Sequence, residues 1–415
     1  MTIQELHNLF KNTSGVCTDT RTLFTDCLFF ALSGANFNGN KFAKKAIENG
    51  AAYAVIDDPE FKTSDQYILV NNTLETLQLL ANYHRKDWGK KIFALTGSNG
   101  KTTTKELLHA VLSENYNVLS TEGNFNNHIG VPLTLLKITE EHDMAIIEMG
   151  ANHEFEIEQL SLIAEPNYAL ITNIGKAHLA GFGSQDIIAK SKQELFDFVS
   201  KNGGHCFVNY QDKYLRVSPP NSHTFFNTSY GLFDSFYCNI IKDQKHYKSN
   251  LVGNVNAPNI EAAITVGKYF GISEQNIQNA ISNYQPSNNR SQKLTTEKNE
   301  LILDAYNANP SSMHAAITDF SNIVKGNKIA LLGTMAELGI HSDDEHLALI
   351  NLCKSLELNV VYIGAGYAPF SHDLDQHYTS SSDIKLIDFC KSLSGKLILL
   401  KGSRSQKLEA LIEYL

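Results

Sequence analysis

Apolar residues in this chain gather in short runs, and between the runs they recur at helical spacing. In the middle of the chain, Ile92–Leu95, Met144–Met149 (M-A-I-I-E-M) and Tyr168–Gly175 (Y-A-L-I-T-N-I-G) are the kind of run that forms a buried parallel strand. From Lys105 onward, Leu107, Leu108, Val111 and Leu112 follow the helix period. Earlier in the chain, Leu28–Leu32, Ala51–Ile56 and Tyr67–Val70 predict strands, and Phe42–Asn49 and Leu74–Trp88 predict helices. Later, Leu301–Ala305, Lys328–Leu332, Asn359–Ile363 and Lys396–Leu400 predict strands separated by helical stretches, a doubly wound, Rossmann-like sheet. The segment Tyr210–Tyr247 is aromatic and polar without a clear period and reads as β-rich. Gln285–Gln292 (Q-P-S-N-N-R-S-Q) is a polar linker. The expected architecture is α/β in three domains, 1–88, 89–288 and 289–415, the central one built on a parallel sheet.

Composition narrows this little but excludes several classes. A net charge of -9 over 415 residues gives no basic footprint for nucleic acid. Six cysteines (Cys17, Cys27, Cys206, Cys238, Cys353 and Cys390) are scattered without a C-x-x-C pair, so neither a disulfide framework nor a zinc site is expected. The amphipathic start, Met1–Lys11, lacks an apolar signal core, and no apolar run reaches membrane-spanning length. A cytoplasmic location, with no membrane insertion, is expected.

Chemistry concentrates just after Ile92–Leu95. Gly97, Ser98, Asn99, Gly100, Lys101, Thr102 and Thr103 form a glycine turn between a strand and a helix. There, free backbone N–H groups and the positive end of the helix dipole make a phosphate cradle. Lys101 would neutralise phosphate oxygens, and the Thr102 hydroxyl would reach Mg²⁺. The general phosphate loop has four residues between its first glycine and the Gly-Lys pair. Here only Ser98 and Asn99 intervene, and an ordinary Gly-Asn-Gly turn is the alternative. Ser120–Leu136 carries Asn124, Asn126 and Asn127 and reads as a loop held against a ligand. Glu148 closes an apolar strand, either as a solvated charge or as a Mg²⁺ ligand. His178 lies in K-A-H-L-A-G-F-G-S, as a structural residue or a metal-binding imidazole. Lys190 and Lys192 read by themselves as a solvated face of the helix Ile187–Phe196.

The loop T-G-S-N-G-K-T-T resembles the shortened one of the Mur ligase family, which includes folylpolyglutamate synthetases. T-D-T-R at Thr18–Arg21 and F-A-L-S-G-A-N-F-N-G at Phe30–Gly39 resemble that family's uridine-nucleotide domain, with Asn38 where Asp is common. The resemblance implies substrate contacts at Thr20, Arg21, Asn124 and Asn127. It implies that Lys192, in step with Glu194, is the family's carbamoylated lysine, whose amine must first be neutral. In G-N-V-N-A-P-N the family histidine is Val255, while Asn256 maps to an adenine contact; a helix cap is the plainer role for Asn256. Arg290 matches a phosphate-side arginine, although Asn289 stands where Gly is usual.

D-A-Y-N-A-N-P-S-S-M, Asp304–Met313, resembles the hallmark of the branch that adds D-alanyl-D-alanine. Met335–Gly339 (M-A-E-L-G), Lys401–Arg404 (K-G-S-R) and His346 are similar to that branch as well. The resemblance therefore implies ATP-dependent amide formation on a UDP-N-acetylmuramoyl-tripeptide through an acyl phosphate, in peptidoglycan synthesis. Thr102 and Glu148 would hold one Mg²⁺, and His178 with carbamoylated Lys192 a second. Arg290 and Asp304 would bind ATP, and Asn307, Asn309 and Ser311 would lie near the dipeptide. A monomer is expected. The alternatives are a sibling ligase adding another amino acid, a folylpolyglutamate-synthetase-like ligase, or a nucleotide switch without ligation.

Overall fold

The computed structural model describes residues 1–217, 219–226, 231–232 and 236–415. Its first part is a parallel sheet of four strands in sequential order, Val16–Cys17, Leu28–Phe30, Tyr53–Ile56 and Tyr67–Leu69. The expected helix Phe42–Asn49 splits into a 3₁₀ turn, Gly39–Phe42, and a short α-helix, Ala43–Glu48. The helix Thr73–Trp88 is capped by the Asn72 side chain and stopped by Gly89 in the left-handed region. Its buried Arg85 donates to the carbonyls of Ala164 and Glu165 and to Asn167 Oδ1, tying this unit to the next.

The central sheet has six parallel strands. In spatial order they are His223–Phe226, His205–Asn209, Tyr168–Ile171, Lys91–Thr96, Met144–Glu148 and Val118–Ser120. Lys91–Thr96 comes first in the chain and lies inside the sheet, so the strands after it are laid down to both sides. The loops at the carboxyl ends of its neighbours therefore open one crevice, where open α/β sheets bind ligands. The helix Lys101–Leu112 follows the glycine turn. It buries Leu107, Leu108, Val111 and Leu112 against Ile260, Ala263 and Ile264 of the helix Ala257–Tyr269. Each such side chain contributes roughly 1.5–3 kcal/mol by leaving water. Ser120–Leu136 is only partly a loop: Gly130–Leu135 is a helix whose Pro132 sits early, where a missing N–H costs nothing. A small antiparallel sheet contains Gly231–Leu232, Ile240–Lys242 and Lys245–Tyr247, so the described part of Tyr210–Tyr247 carries strands as read, except that Lys213–Arg216 is a short helix.

The last sheet runs Gln292–Thr295, Glu300–Asp304, Leu397–Lys401, Lys328–Gly333, Val360–Ile363 and His377–Tyr378, parallel except for its first strand. Its two edge strands escape the apolar pattern because an edge strand keeps one side in solvent and needs no continuous apolar run. Among the described residues no helix is long and apolar enough to cross a membrane.

Candidate active site

A cavity of about 850 Å³ opens between the central and last sheets. The glycine turn forms one wall. Gly97 has φ 144°, and a Cβ there would fall 1.9 Å from Thr172 Oγ1; Gly100 has φ 77°, and a Cβ would fall 2.5 Å from Asn259 Oδ1. Both positions therefore demand glycine. Ser98 Oγ donates to the Gly175 carbonyl (3.0 Å) and accepts from Gly175 N (2.9 Å), fastening the turn to the next strand's loop. The helix Lys101–Leu112 begins without a side-chain cap, which keeps its first N–H groups available. Lys101 Nζ donates to the Gly97 carbonyl at 2.7 Å. Burial lowers the Lys101 pKa, and Arg290 adds to this while Glu148 opposes it.

Ser98, Asn99, Gly100, Lys101, Thr102 and Thr103 all line the cavity, as do Asn124, Asn127, Glu148 and His178. Glu148 is buried, not solvated: Oε1 accepts from Asn126 Nδ2 at 2.8 Å, and Oε2 has no hydrogen-bond partner. Asn127 Oδ1 accepts from Ile129 N and Gly130 N. His178 has a left-handed backbone, φ 53°, and its Nδ1 pairs with the Glu337 carboxylate of the last domain. That pairing holds the Glu337 carboxyl below its usual range.

The two lysines separate cleanly. Lys190 leaves 75% of its side chain exposed, 3.7 Å from Glu154. Lys192 is 2% exposed, donates to the Ala151 carbonyl at 3.4 Å, and sits 5.2 Å from the Phe182 ring centroid. Burial, helped by Lys101 and opposed by Glu194 and Glu156, pulls its pKa down to about 7. A solvated face is therefore wrong for Lys192. It lies just beneath the cavity wall that Ala151 forms. Glu194 instead accepts from Phe155 N and Glu158 N at the start of the helix Glu156–Ala164.

Asn256 is buried and lines the cavity, but its side chain does not cap the helix. Its Nδ2 donates to the Val252 carbonyl, and its Oδ1 accepts from Asn259 Nδ2. Asn259 Oδ1 then accepts from Thr104 Oγ1. From the last domain come Arg290, stacked 3.7 Å from the Tyr306 ring centroid, and Asp304, whose carboxylate pairs with buried Lys401. Asn309 caps the helix Pro310–Asn322 with its Oδ1, while its Nδ2 donates to Asn99 Oδ1 at 2.7 Å across the domain boundary. Ser311 Oγ accepts from Lys176 N at 2.8 Å, a second crossing. Asn307 lines the cavity with an exposed side chain.

Thr20 and Arg21 are not brought here. They do not line this cavity, and Arg21 is spent on neighbouring Asp19 at 2.6 Å. The pattern missed Asn126, Asn259, Tyr306, Glu337 and Lys401 as site residues; the crowding of asparagines and the M-A-E-L-G and K-G-S-R stretches were the available signals. Among the described residues no three His, Cys, Asp or Glu side chains group as a metal site.

A short glycine turn on a parallel sheet, facing a Rossmann-like domain and preceded by a small α/β unit, defines a three-part α/β architecture with one shared cavity. Residues 12–85 match the Mur ligase family, catalytic domain, 95–267 the Mur ligase middle domain, and 289–404 the Mur ligase, glutamate ligase domain. The chain belongs to the Mur ligase family and is a ligase. It is 34% identical over 421 residues, 96% of this chain and 92% of the relative, to the UDP-N-acetylmuramoyl-tripeptide–D-alanyl-D-alanine ligase of Bacillus subtilis (strain 168). A crystal structure of MurF from Acinetobacter baumannii superposes with a TM-score of 0.86 at 29% identity, covering 99% of this chain and 98% of that one. MurF ligase from Thermotoga maritima in complex with ADP gives 0.84 at 25% identity, covering 97% of each.

Proposed function

We propose that this protein joins D-alanyl-D-alanine to a UDP-N-acetylmuramoyl-tripeptide, using ATP, in the cytoplasm and as a monomer. The observation that carries this reading is the Asp304–Met313 turn. It sits against the glycine turn through Asn309 and Asn99, so a dipeptide held there would meet the transferred phosphoryl group. The B. subtilis relative, named for the same reaction over nearly its whole length, supports it.

The division of labour follows the three domains. Residues 1–88 hold the uridine nucleotide, with Thr20 and Arg21 in contact. Residues 89–288 hold ATP, and 289–415 hold the dipeptide and the outer side of ATP. Gly97 to Thr103 and Lys101 cradle the β- and γ-phosphates. Asn256 lies at the adenine, and Arg290 and Asp304 at the ribose-phosphate side. Asn124 and Asn127 face the tripeptide, and Asn307, Asn309 and Ser311 the dipeptide.

Mg²⁺ fits the donor set. Glu148 offers a buried carboxylate oxygen that has no hydrogen-bond partner, and Thr102 a buried hydroxyl. Hard oxygen ligands of this kind suit Mg²⁺. Lys192 fits carbamoylation, because an amine with a pKa near 7 is neutral often enough to take up CO2. With His178, the carbamate would hold the second Mg²⁺. Bound there, the metal ions supply charge neutralisation where phosphate and carboxylate oxygens crowd.

The residues then act by positioning. The tripeptide carboxylate attacks the γ-phosphorus, ADP leaves, and an acyl phosphate forms. The dipeptide amine attacks the acyl carbon, phosphate leaves, and the amine loses its proton. Lys101 and the loop N–H groups hold the oxygens on which charge builds.

The test is phosphate release from ATP and a UDP-linked muramyl tripeptide, with candidate acceptors added one at a time. D-alanyl-D-alanine should stimulate release, and meso-diaminopimelate or glutamate should not. Equal stimulation by glutamate would assign the chain to another branch of the family, and slow release indifferent to every acceptor would make it a switch.

A further inference from the structure

The M-A-E-L-G and K-G-S-R stretches and His346 have no part in the steps above, yet they meet in one network. Met335 N donates to Nε2 of the fully buried His346 at 3.1 Å, and Ala336 N donates to Ser403 Oγ at 2.8 Å. His346 Nδ1 donates to the Ser342 carbonyl at 2.7 Å, which leaves Nε2 as the acceptor that Met335 requires. The residue delivered by this pinned segment is Glu337. Its backbone is left-handed, φ 62°, and its carbonyl accepts from Ala180 N at 2.9 Å in the central domain. Its carboxylate touches His178 Nδ1 without the alignment of a formed hydrogen bond, and that buried nitrogen has no other hydrogen-bond partner, so a small turn of the ring completes the bond. His178 is left-handed too. Two non-glycine residues in a costly conformation thus face each other across a domain boundary, and such conformations persist where the surrounding structure over-determines them. Lys176 Nζ and Glu345 Oε1, 2.6 Å apart, close the same boundary nearby.

We infer that Glu337 is a positioning residue for His178: its carboxylate keeps the imidazole proton on Nδ1 and leaves Nε2 as the free lone pair. Because Glu337 rides on the last domain, the imidazole is set for a ligand only when the domains are together. A carboxylate on the far nitrogen is the usual way a protein orients a ligating histidine. The inference rests on the reading of His178 as a metal-side residue, and it assigns a role to a residue that the reading did not contain. An ordinary surface ion pair would predict something else, since Glu337 keeps 56% of its side chain exposed and such pairs contribute little.

The experiment uses full-length protein with isotope-labelled histidine, read by long-range proton–nitrogen correlation spectra and by kinetics. His178→Gln identifies the His178 signals by their loss. Wild type should show a single Nδ1–H tautomer, and Glu337→Ala a tautomer mixture. In Glu337→Ala, kcat should fall ~10–100-fold, the cost usual for a residue behind a metal ligand, with KM for ATP little changed. Glu337→Gln, whose amide oxygen still accepts, should keep the tautomer and most of kcat, and it also separates orientation from folding. An unchanged tautomer in Glu337→Ala, an unchanged kcat, or a Glu337→Gln as impaired as Glu337→Ala would each overturn the inference. Full activity in His178→Gln would instead remove the role given to His178, and the tautomer spectra would still report whether Glu337 orients the ring.

Discussion

The Lys192 site and the T-D-T-R loop hold cations in opposite circumstances. Lys192 is sealed at 2% exposure beneath the cavity wall, and its charge is suppressed by burial and by Lys101. Arg21 keeps 86% of its side chain in solvent, hydrogen-bonds to Asp19, and lines no part of the cavity. Asp19 in turn has its carboxyl held down to about 2 by that guanidinium. A buried amine is chemically altered by its surroundings and can be converted into something else. An exposed guanidinium keeps its ordinary charge and can only attract or release a partner. The two regions should therefore respond to mutation on different scales and in different parameters.

The largest effect should come at Lys192. Lys192→Ala and Lys192→Arg should each cost at least ~100-fold in kcat, since a metal-side group is lost and guanidinium cannot take up CO2. Lys190→Ala should stay within a few-fold, since that side chain is exposed. A Lys192→Arg enzyme with most of its activity would erase the contrast. Lys101→Ala should follow, with a loss of ~100-fold in ligation, the range for one phosphate-side donor, and an unchanged circular dichroism spectrum. A folded variant turning over normally would remove the phosphate-cradle assignment.

The Lys192 contrast also has a pH form. Its pKa is about 7 folded against 10.5 for a free lysine, so the unfolded chain binds the extra proton between those values. Stability should rise with pH across that window, and the burial penalty should be complete below about 7. In CO2-free buffer Lys192→Met should be more stable than wild type at pH 7, by a margin that shrinks toward pH 10.5. A constant margin, measured by denaturant melts, would place the charge in solvent.

Asn309→Ala removes a helix cap and the bond to Asn99 together. It should lower stability by about 1 kcal/mol, the usual worth of a cap. Activity should fall further than stability alone explains, because a domain crossing is lost; equal kcat in Asn309→Ala and wild type would deny that crossing a role. The smallest effect belongs to Arg21→Ala. It should leave the melting temperature unmoved, within ~0.5 kcal/mol, as surface changes do. It should raise KM for the UDP-linked substrate with kcat preserved at saturation. A kcat defect there would show the exposed loop reaching the chemistry.

The pattern of apolar runs and the glycine spacing determined a great deal. The Lys91–Thr96 strand, the turn and the Lys101–Leu112 helix were legible because their signals are local, an apolar run, a glycine turn and a helical repeat, although Thr172 and Asn259 add a tertiary reason for the two glycines. The Asp304–Met313 turn was equally local. Which of two neighbouring lysines is buried was not local, because Lys190 and Lys192 have the same side chain and the same helix. Only the packing of that helix against Ala151 and Phe182 separates them. The same holds for Glu148, read equally well as solvated until Asn126 is placed beside it. The M-A-E-L-G stretch marked Glu337, but not what it touches. Its partner His178 lies in another domain, and sequence carries no signal for a contact that exists only when two separately folded sheets face each other.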